Sequence, residues 1–206
     1  MGGRGSPCWG AIPQKRGLGL LGRALTGLVL FLAVGAAPAA ALGAEIRHLD
    51  VERQEDTYRV RFEAVVAVAP DRVFALLTDF ERLDRLNPGV KVAQRLSSGS
   101  GATRVRTVIE GCVLFFCNRM ERVEAVRTRG KRVIWARIVP SASDFRSGDS
   151  RWALAAVTGG TRIRLRLRVV PDFWVPPLIG PWILKRDLAD NLRILVQRLE
   201  RLGREG

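Results

Sequence analysis

The chain has 206 residues, 47% of them hydrophobic and 26% charged, and its formal net charge is +14. This composition is that of an ordinary globular protein, and the length suits one domain with a substantial core rather than two. The only histidine, His48, is too isolated to indicate a Ser/His/Asp or Cys/His catalytic set.

Residues 1–44 have a composition of their own, with four basic residues, no acidic ones and a long apolar run from Ala24. A basic leader, an apolar core and a tail of small residues are typical of a secretory signal peptide, with cleavage after Ala41 or Ala44. The alternative is an uncleaved anchor, because the apolar run is near the ~20 residues that span a bilayer. We therefore expect a periplasmic or otherwise extracytoplasmic protein, either free or held at the membrane.

The exported part remains strongly basic, because losing the four leader charges lowers the net charge only from +14 to +10. A basic surface attracts anionic lipid headgroups, acidic polymers or nucleic acid. Exported proteins rarely meet nucleic acid, so the expected partner is an anionic membrane surface and not a nucleic acid. The alternative is that the charge serves solubility alone.

Cys112 and Cys117 are the only cysteines outside the leader, and they form an even pair in a compartment expected to be oxidising. A disulfide between them requires the intervening VLFF to form a turn that brings the two Cα atoms within ~7 Å. The alternative is two free, buried cysteines. No zinc site is predicted, because zinc needs four ligands and His48 is far away in the sequence.

The pattern of apolar residues predicts mostly strands, followed by one long helix. The predicted elements are a polar arm at 45–56, a strand at 57–68, one helix or two short ones at 70–86, two strands at 90–111 with a turn at 97–101, a second hairpin that turns near Arg129, a loop at 141–150, strands at 152–157 and 161–169, a proline-rich connector at 171–182 and a closing helix after Pro181.

Alternation of apolar and charged residues marks the strands, and it is clearest at 161–169. Pro70 and Asp71 favour the start of a helix. Leucines at spacings of three and four give the closing helix one apolar stripe about five turns long. The outer face of strand 161–169 is either a stripe that binds phosphates or a solvated face paired with acidic neighbours; its residues are Arg162, Arg164, Arg166 and Arg168.

Runs of strands rather than alternating βαβ units predict an α+β domain, in which the long helix lies on an antiparallel sheet. The stretch VAVAPDRVFALLTDFERLDRLNP, from Val66 to Pro88, resembles the first strand, proline-initiated helix and Asn-Pro segment of the START-like (SRPBCC) superfamily, especially its polyketide cyclase/dehydrase and coenzyme Q-binding branches. The resemblance covers residues 57–203. It implies a helix-grip fold, in which a curved antiparallel sheet wraps around the C-terminal helix and encloses a cavity for a hydrophobic small molecule or lipid.

From this resemblance we predict an exported carrier of a lipid or quinone-like ligand. The positions expected to line its cavity, chosen by apolar phase alone, are Phe62, Phe74, Val105, Ile109, Trp135, Trp152, Leu165, Leu188, Leu192 and Leu195. A slip of one residue would place a strand's whole set on the wrong face. Two further apolar groups either contact a membrane at the cavity mouth or are buried; they are Val113, Leu114, Phe115, Phe116, Phe173, Trp174 and Trp182.

No catalytic residue, cofactor or metal site is predicted, because the family has no universal catalytic set and no such motif is evident. Carboxylate pairs such as Glu121 with Glu124, and Asp187 with Asp190, suit solvated faces. One alternative is a cyclase or dehydratase of the same fold, which predicts a polar or titratable cluster at the cavity base. Another is a membrane-associated interaction module, in which Trp135 and Trp152 fill a collapsed cavity.

Overall fold

Within the residues that the structure describes, eight strands form one antiparallel sheet. The computed structural model describes residues 44–99, 101–113, 116–173 and 180–205. In chain order the strands are β1 (Glu45–Gln54), β2 (Thr57–Val66), β3 (Val90–Gly99), β4 (Ala102–Val113), β5 (Phe116–Arg129), β6 (Val133–Ile138), β7 (Phe145–Val157) and β8 (Gly160–Pro171). Their order across the sheet is β1-β2-β8-β7-β6-β5-β4-β3, so β1 and β3 are its two edges.

The described ranges also contain two α-helices, α1 (Pro70–Thr78) and α2 (Gly180–Arg204). Pro70 opens α1 because its missing N–H is not needed in a first turn, and Asp71 adds a favourable negative charge there. A separate 3₁₀ turn follows at Leu83–Arg85, so the region forms two short segments. At 25 residues, α2 is longer than the five turns predicted.

The polar arm predicted at 45–56 is wrong, because residues 45–54 form β1 and pair with β2. Ile46, Leu49 and Val51 pack against the core, which explains why the segment is ordered as a strand. As an edge strand it is largely polar, a composition that discourages pairing with another chain. The predicted loop at 141–150 is also too long, since β7 starts at Phe145.

The C-terminal end of α2 is fastened to the start of α1 and the end of β2. The side-chain oxygen Oε1 of Glu200 accepts a hydrogen bond from the backbone N–H of Ala67 at 3.0 Å. Arg72 donates to the backbone carbonyl of Leu202 at 2.9 Å. A Cβ at Gly203 would lie 2.5 Å from Val68, so only glycine permits this close approach. The fold is therefore the predicted one, an open, curved antiparallel sheet that holds the C-terminal helix.

Candidate functional site

The inner face of the sheet is the face that packs against α2. Residues opposite one another in a strand register point to the same side, so this face can be followed from strand to strand. One line runs from Phe62 on β2 through Leu165 on β8 and Trp152 on β7 to Ile134 on β6. The candidate site lies on this inner face, which differs between its two halves.

The half of the inner face formed by β1, β2 and β8 is closed by α2. Its core, the closed cluster, includes Val60, Phe62, Ala64, Ile163, Leu165, Leu192, Leu195, Val196, Leu199 and Leu202, all buried. Phe62, Leu165, Leu192 and Leu195 were predicted to line a cavity, and the structure brings these four residues together in one packed core. Their contact with a ligand stays a prediction.

The half formed by β3 to β6 has a smaller core, the open cluster, made of Phe80, Val105, Val126, Ile134 and Ala136. No described residue of α2 belongs to this cluster, and the described contacts of α2 are mainly with α1, β1 and β2. Phe74 and Trp152 are only partly buried and pack against both clusters. The two halves are therefore joined at Phe74 and Trp152.

A cleft of about 560 Å³ adjoins the open cluster, between the end of α1 and strands β3 to β5. Its lining residues are Phe74, Thr78, Phe80, Arg95, Gly101, Ala102, Thr103, Val126, Arg127 and Thr128. The Arg95 guanidinium carbon lies 5.5 Å from the ring centroid of Phe80. The cleft thus combines an apolar floor with one cation over an aromatic ring.

A second cleft, of about 640 Å³, lies at the start of β3. Glu81, Asp84, Lys91 and Arg198 are among its lining residues, so it is the more highly charged of the two. An apolar molecule fits the first cleft better, because bringing it against charged groups would strip them of water without giving them new partners.

An ion pair lies on the inner face beyond the open cluster. Glu124 is opposite Val105 on β4 and Ile138 on β6, and Arg122 is opposite Thr107. The Arg122 Nε and Glu124 Oε2 atoms are 3.2 Å apart, and the Glu124 side chain is only 14% exposed. Glu124 lies two residues along β5 from Val126, which lines the cleft. Its carboxylate can therefore orient a polar group of a molecule that enters the cleft.

The structure corrects the prediction that Glu121 and Glu124 both lie on a solvated face. Glu121 is on the outer face, where Arg106 donates to both of its carboxylate oxygens at 2.6 and 2.9 Å. These hydrogen bonds hold the pKa of Glu121 below its usual value. Glu124 is on the inner face instead. Period-2 alternation places residues three apart on opposite faces, but it could not show which face is the inner one, because β5 carries charged residues on both.

Tyr58 places a hydroxyl in the interior, at the end of the inner face of β2. The residue is 2% exposed, and its hydroxyl has no hydrogen-bond partner among the described residues. Burial raises the pKa of Tyr58 above its ordinary value. In the sequence, Tyr58 is recognisable only as part of a strand, since tyrosine counts as one more apolar residue in an alternating pattern.

Asp187 and Asp190, predicted to share a solvated face of the last helix, lie in different surroundings. Asp190 is exposed and accepts a hydrogen bond from Arg193 at 2.7 Å. Asp187 is partly buried, and burial together with the charge of Asp190 raises its pKa. Asp187 is therefore a second titratable group, after Glu124, that is less solvated than predicted.

The remaining predicted cavity positions divide between the two faces. Val105 is buried in the open cluster, Leu188 packs at the rim of the closed cluster, and Ile109 is a partly exposed inner-face residue opposite Val90 and Met120. The prediction for Trp135 is wrong. It is opposite Arg151 and Arg127 on the outer face, and the Arg151 guanidinium carbon lies 5.9 Å from its ring.

Both tryptophans of β6 and β7, Trp135 and Trp152, are predicted to face the cavity, and only Trp152 faces inward. Ile134, next to Trp135 in the chain, is the inward residue of β6 and is opposite Trp152. This is the one-residue slip that inverts a strand's faces. The outward position of Trp135 also contradicts the alternative of an interaction module, which predicts that Trp135 and Trp152 fill the cavity together.

The residues proposed for membrane contact are only partly described. Leu114, Phe115 and Trp174 lie outside the described residues, while Val113 and Phe116 are the last residue of β4 and the first of β5. Phe173 is partly buried and packs edge-on against Phe145, with ring centroids 5.6 Å apart. Trp182 is 63% exposed. Within the described part of the chain, Trp182 is therefore the membrane-contact candidate whose side chain is exposed.

Cys112 and Cys117 are directly opposite each other in the β4–β5 register. Opposed residues of antiparallel strands have Cα atoms about 4.5–5.5 Å apart, which meets the distance condition for a disulfide. The bond itself stays a prediction. Among the described residues, no cluster of three or more potential metal ligands occurs, and no helix has the length and apolar character needed to cross a bilayer.

An open antiparallel sheet that grips a C-terminal helix, with an apolar inner face, defines the helix-grip class of ligand-binding proteins. The family model described as polyketide cyclase/dehydrase and lipid transport matches residues 57–200. The chain belongs to this family, within the START-like (SRPBCC) superfamily that the sequence resembles. No curated protein matches the sequence significantly.

Solved structures share the same fold. An aromatase/cyclase from Streptomyces sp. R1128 matches with a TM-score of 0.58 and 18% identity, over 72% of this chain and 94% of its own. A STAR-related lipid transfer protein from Xanthomonas axonopodis gives 0.56 and 14%, over 73% and 98%. A START superfamily protein from Mycobacterium smegmatis gives 0.54 and 21%, over 72% and 99%. At these identities the likeness establishes the fold and leaves the ligand open.

Proposed function

We propose that this protein is an exported carrier of an apolar, lipid- or quinone-like molecule, which binds on the open half of the inner face. The observation that carries the proposal is the cleft of about 560 Å³ beside the open cluster. The family description includes lipid transport, and one structural neighbour is described as a lipid transfer protein; both support this choice.

The chemistry of the cleft suggests how the molecule binds. Its apolar body lies against Phe74, Phe80 and Val126, where burying apolar surface contributes about 25 cal/mol per Å². A polar end group points along β5 toward the Arg122–Glu124 pair, where hydrogen bonds fix its orientation. Ligands of this kind are mostly apolar with one polar end, as lipids and quinones are.

A pair of matched tryptophan substitutions tests this binding site. Thr103 lines the cleft on the inner face of β4, whereas Ala155 is exposed on the outer face of β7. With the neutral fluorescent probe N-phenyl-1-naphthylamine, we expect Thr103→Trp to lower probe affinity at least about tenfold by filling the cleft, and Ala155→Trp to leave it unchanged. Equal affinity in the two variants would contradict the proposed site.

Export is tested separately, at the N-terminus of the protein made in its own host. Cleavage of the leader after Ala41 leaves Leu42 as the first residue, and cleavage after Ala44 leaves Glu45. Mass spectrometry of the extracytoplasmic fraction should detect one of these two ends. A chain that is found only in the cytoplasm and retains residues 1–44 would contradict export without affecting the binding proposal.

A second candidate function is cyclisation of a polyketide chain. The Arg122–Glu124 pair favours it, as does the Tyr58 hydroxyl, which has no hydrogen-bond partner among the described residues. A cyclase of this fold is expected to hold polar or titratable groups in its interior. If the protein is an enzyme, Arg122→Met and Tyr58→Phe should remove turnover of a polyketide substrate and keep binding of the apolar probe. Binding without turnover in the unmodified protein would leave the carrier as the function.

A further inference from the structure

The outer face of the sheet carries two parallel lines of arginines. The first line crosses five strands and consists of Arg61, Arg166, Arg151, Trp135 and Arg127. The second consists of Arg59, Arg168, Asp149, Arg137, Ala125 and Arg104. Both lines run directly across the sheet. We call their eight arginines the outer basic patch.

The patch extends in two directions and is longer across the strands than along them. Neighbouring strands are about 4.8 Å apart, and two residues along a strand span about 7 Å. The first line therefore extends about 19 Å from β2 to β5, and the second extends one strand further. This is a two-dimensional surface, unlike the single stripe of arginines on β8 that the sequence predicts.

Few acidic groups neutralise this surface. Asp149 is the acidic residue within the two lines, and Asp50 and Glu52 on the edge strand β1 are opposite Arg61 and Arg59. Within the described part of the chain, seven of the eight arginines make no ion pair; they are Arg59, Arg104, Arg127, Arg137, Arg151, Arg166 and Arg168. Arg61 reaches Asp50 only at 4.0 Å.

The neighbouring arginines on β8 show the contrast. Arg162 and Arg164 both pair with Glu63, at 3.3 and 2.7 Å, as expected of a solvated face with acidic neighbours. Two residues further along the same strand this compensation ends. The excess of positive charge is therefore local to the outer basic patch and is not shared by the whole face.

We infer that the outer basic patch docks on an anionic phospholipid bilayer. A leaflet presents phosphates in two dimensions, as the patch presents guanidiniums, whereas a single groove or ridge of charge would suit a linear polymer better. Trp135, in the middle of the first line and partly exposed, has the amphipathic ring that favours the headgroup region. The small side chain of Ala125 lets the surface lie close to the headgroups.

The inference goes beyond the proposed function and does not depend on a bound ligand. Its test is co-sedimentation of the protein with vesicles of phosphatidylcholine alone and of phosphatidylcholine mixed with phosphatidylglycerol. We expect binding to the mixed vesicles only, and weaker binding as salt is raised. Equal binding to both vesicle types, or to neither, would overturn the inference.

Matched variants assign the contact to the patch. Arg61, Arg151, Arg166 and Arg168 are exposed and do not line the cleft, and they are changed together to Gln. Since each basic side chain near an anionic leaflet contributes about fivefold, we expect vesicle affinity to fall by more than about a hundredfold. The control changes Arg82, Lys91, Lys185 and Arg201, exposed on other surfaces, to Gln. The control removes the same charge and should lower vesicle affinity by less than about fivefold.

Three further outcomes, measured on the variants and on other polyanions, would also overturn the inference. An equal loss in the two four-residue variants would show an effect of net charge alone. Loss in Trp182→Ser, with the four-arginine variant unaffected, would move the membrane contact to the start of α2. Stronger binding of the protein to heparin or duplex DNA than to vesicles, at the same salt, would identify the partner as a polyanion. Far-ultraviolet circular dichroism of each variant confirms that the fold is kept.

Discussion

The two halves of the inner face are built from the same kind of strand and differ in what covers them. On β1, β2 and β8, leucines of α2 pack directly against the sheet, and residues such as Leu199 and Ile163 are fully buried. On β3 to β6, no described residue of α2 belongs to the core, and a cleft and an ion pair adjoin it.

This difference separates stability from function within one sheet. A closed core of close-packed leucines supplies most of the stabilisation, because burial of apolar surface is the dominant favourable contribution to folding. The open half contributes less and, under the proposed function, keeps apolar surface for a ligand. Substitutions in the two halves should therefore have opposite profiles, with large stability effects in one and large binding effects in the other.

The largest expected effect is that of Leu199→Ala in the closed half. Leu199 has no exposed surface, so the change removes buried methyl groups and leaves a cavity. We expect the free energy of unfolding, measured by urea denaturation, to fall by about 2–5 kcal/mol. Affinity for the neutral probe should stay unchanged in the folded protein.

The matched change in the open half is Ile109→Ala, at a partly exposed inner-face position. It should cost clearly less stability than Leu199→Ala, because less apolar surface is lost from the interior. If Ile109→Ala were the more destabilising of the two, the division of the sheet into a closed and an open half would be wrong.

A smaller effect is expected from the ion pair. Arg122→Met leaves the mostly buried Glu124 without its partner, which should cost about 1–3 kcal/mol at neutral pH. The double change to Met at both positions should recover most of this loss, because no charge is then left unpaired. If the single change had no effect, Glu124 would have to be solvated, contrary to its 14% exposure.

The smallest expected effect is that of Tyr58→Phe. The hydroxyl is buried without a partner among the described residues, so its removal should raise the free energy of unfolding by about 1 kcal/mol. Burial raises the pKa of Tyr58 above 10.0, so the unfolded chain loses this proton first as pH rises. The unmodified protein should therefore lose stability above that pH, and Tyr58→Phe should lose less.

Much of the fold could be predicted from the sequence, because its signals are local. Strict alternation around Leu165 fixed a strand and its inward face, and Pro70 fixed the start of a helix. β1 was missed because an edge strand has a mostly polar composition, and its order comes from Leu49 and Val51 packing on a core that is distant in the sequence.

The site was less predictable, for a physical reason. An alternating pattern identifies the inner face as the apolar one, but around Arg122 and Glu124 the inner face of β5 is charged and the outer face carries Val123 and Ala125. β6 has the opposite problem, since Ile134 and Trp135 are both apolar and either could face inward. Only the register with β7 shows that Ile134 is the inner residue and that Trp135 lies among arginines.

The central claim, that the open half carries an apolar molecule, is tested most directly by native mass spectrometry of the protein purified from its own host. Organic extraction and identification of any bound molecule complete the measurement. We predict one mostly apolar molecule with a polar end, at about one per chain, and its loss in Thr103→Trp but not in Ala155→Trp. A protein that carries nothing and also refuses a panel of lipids and quinones would contradict the claim.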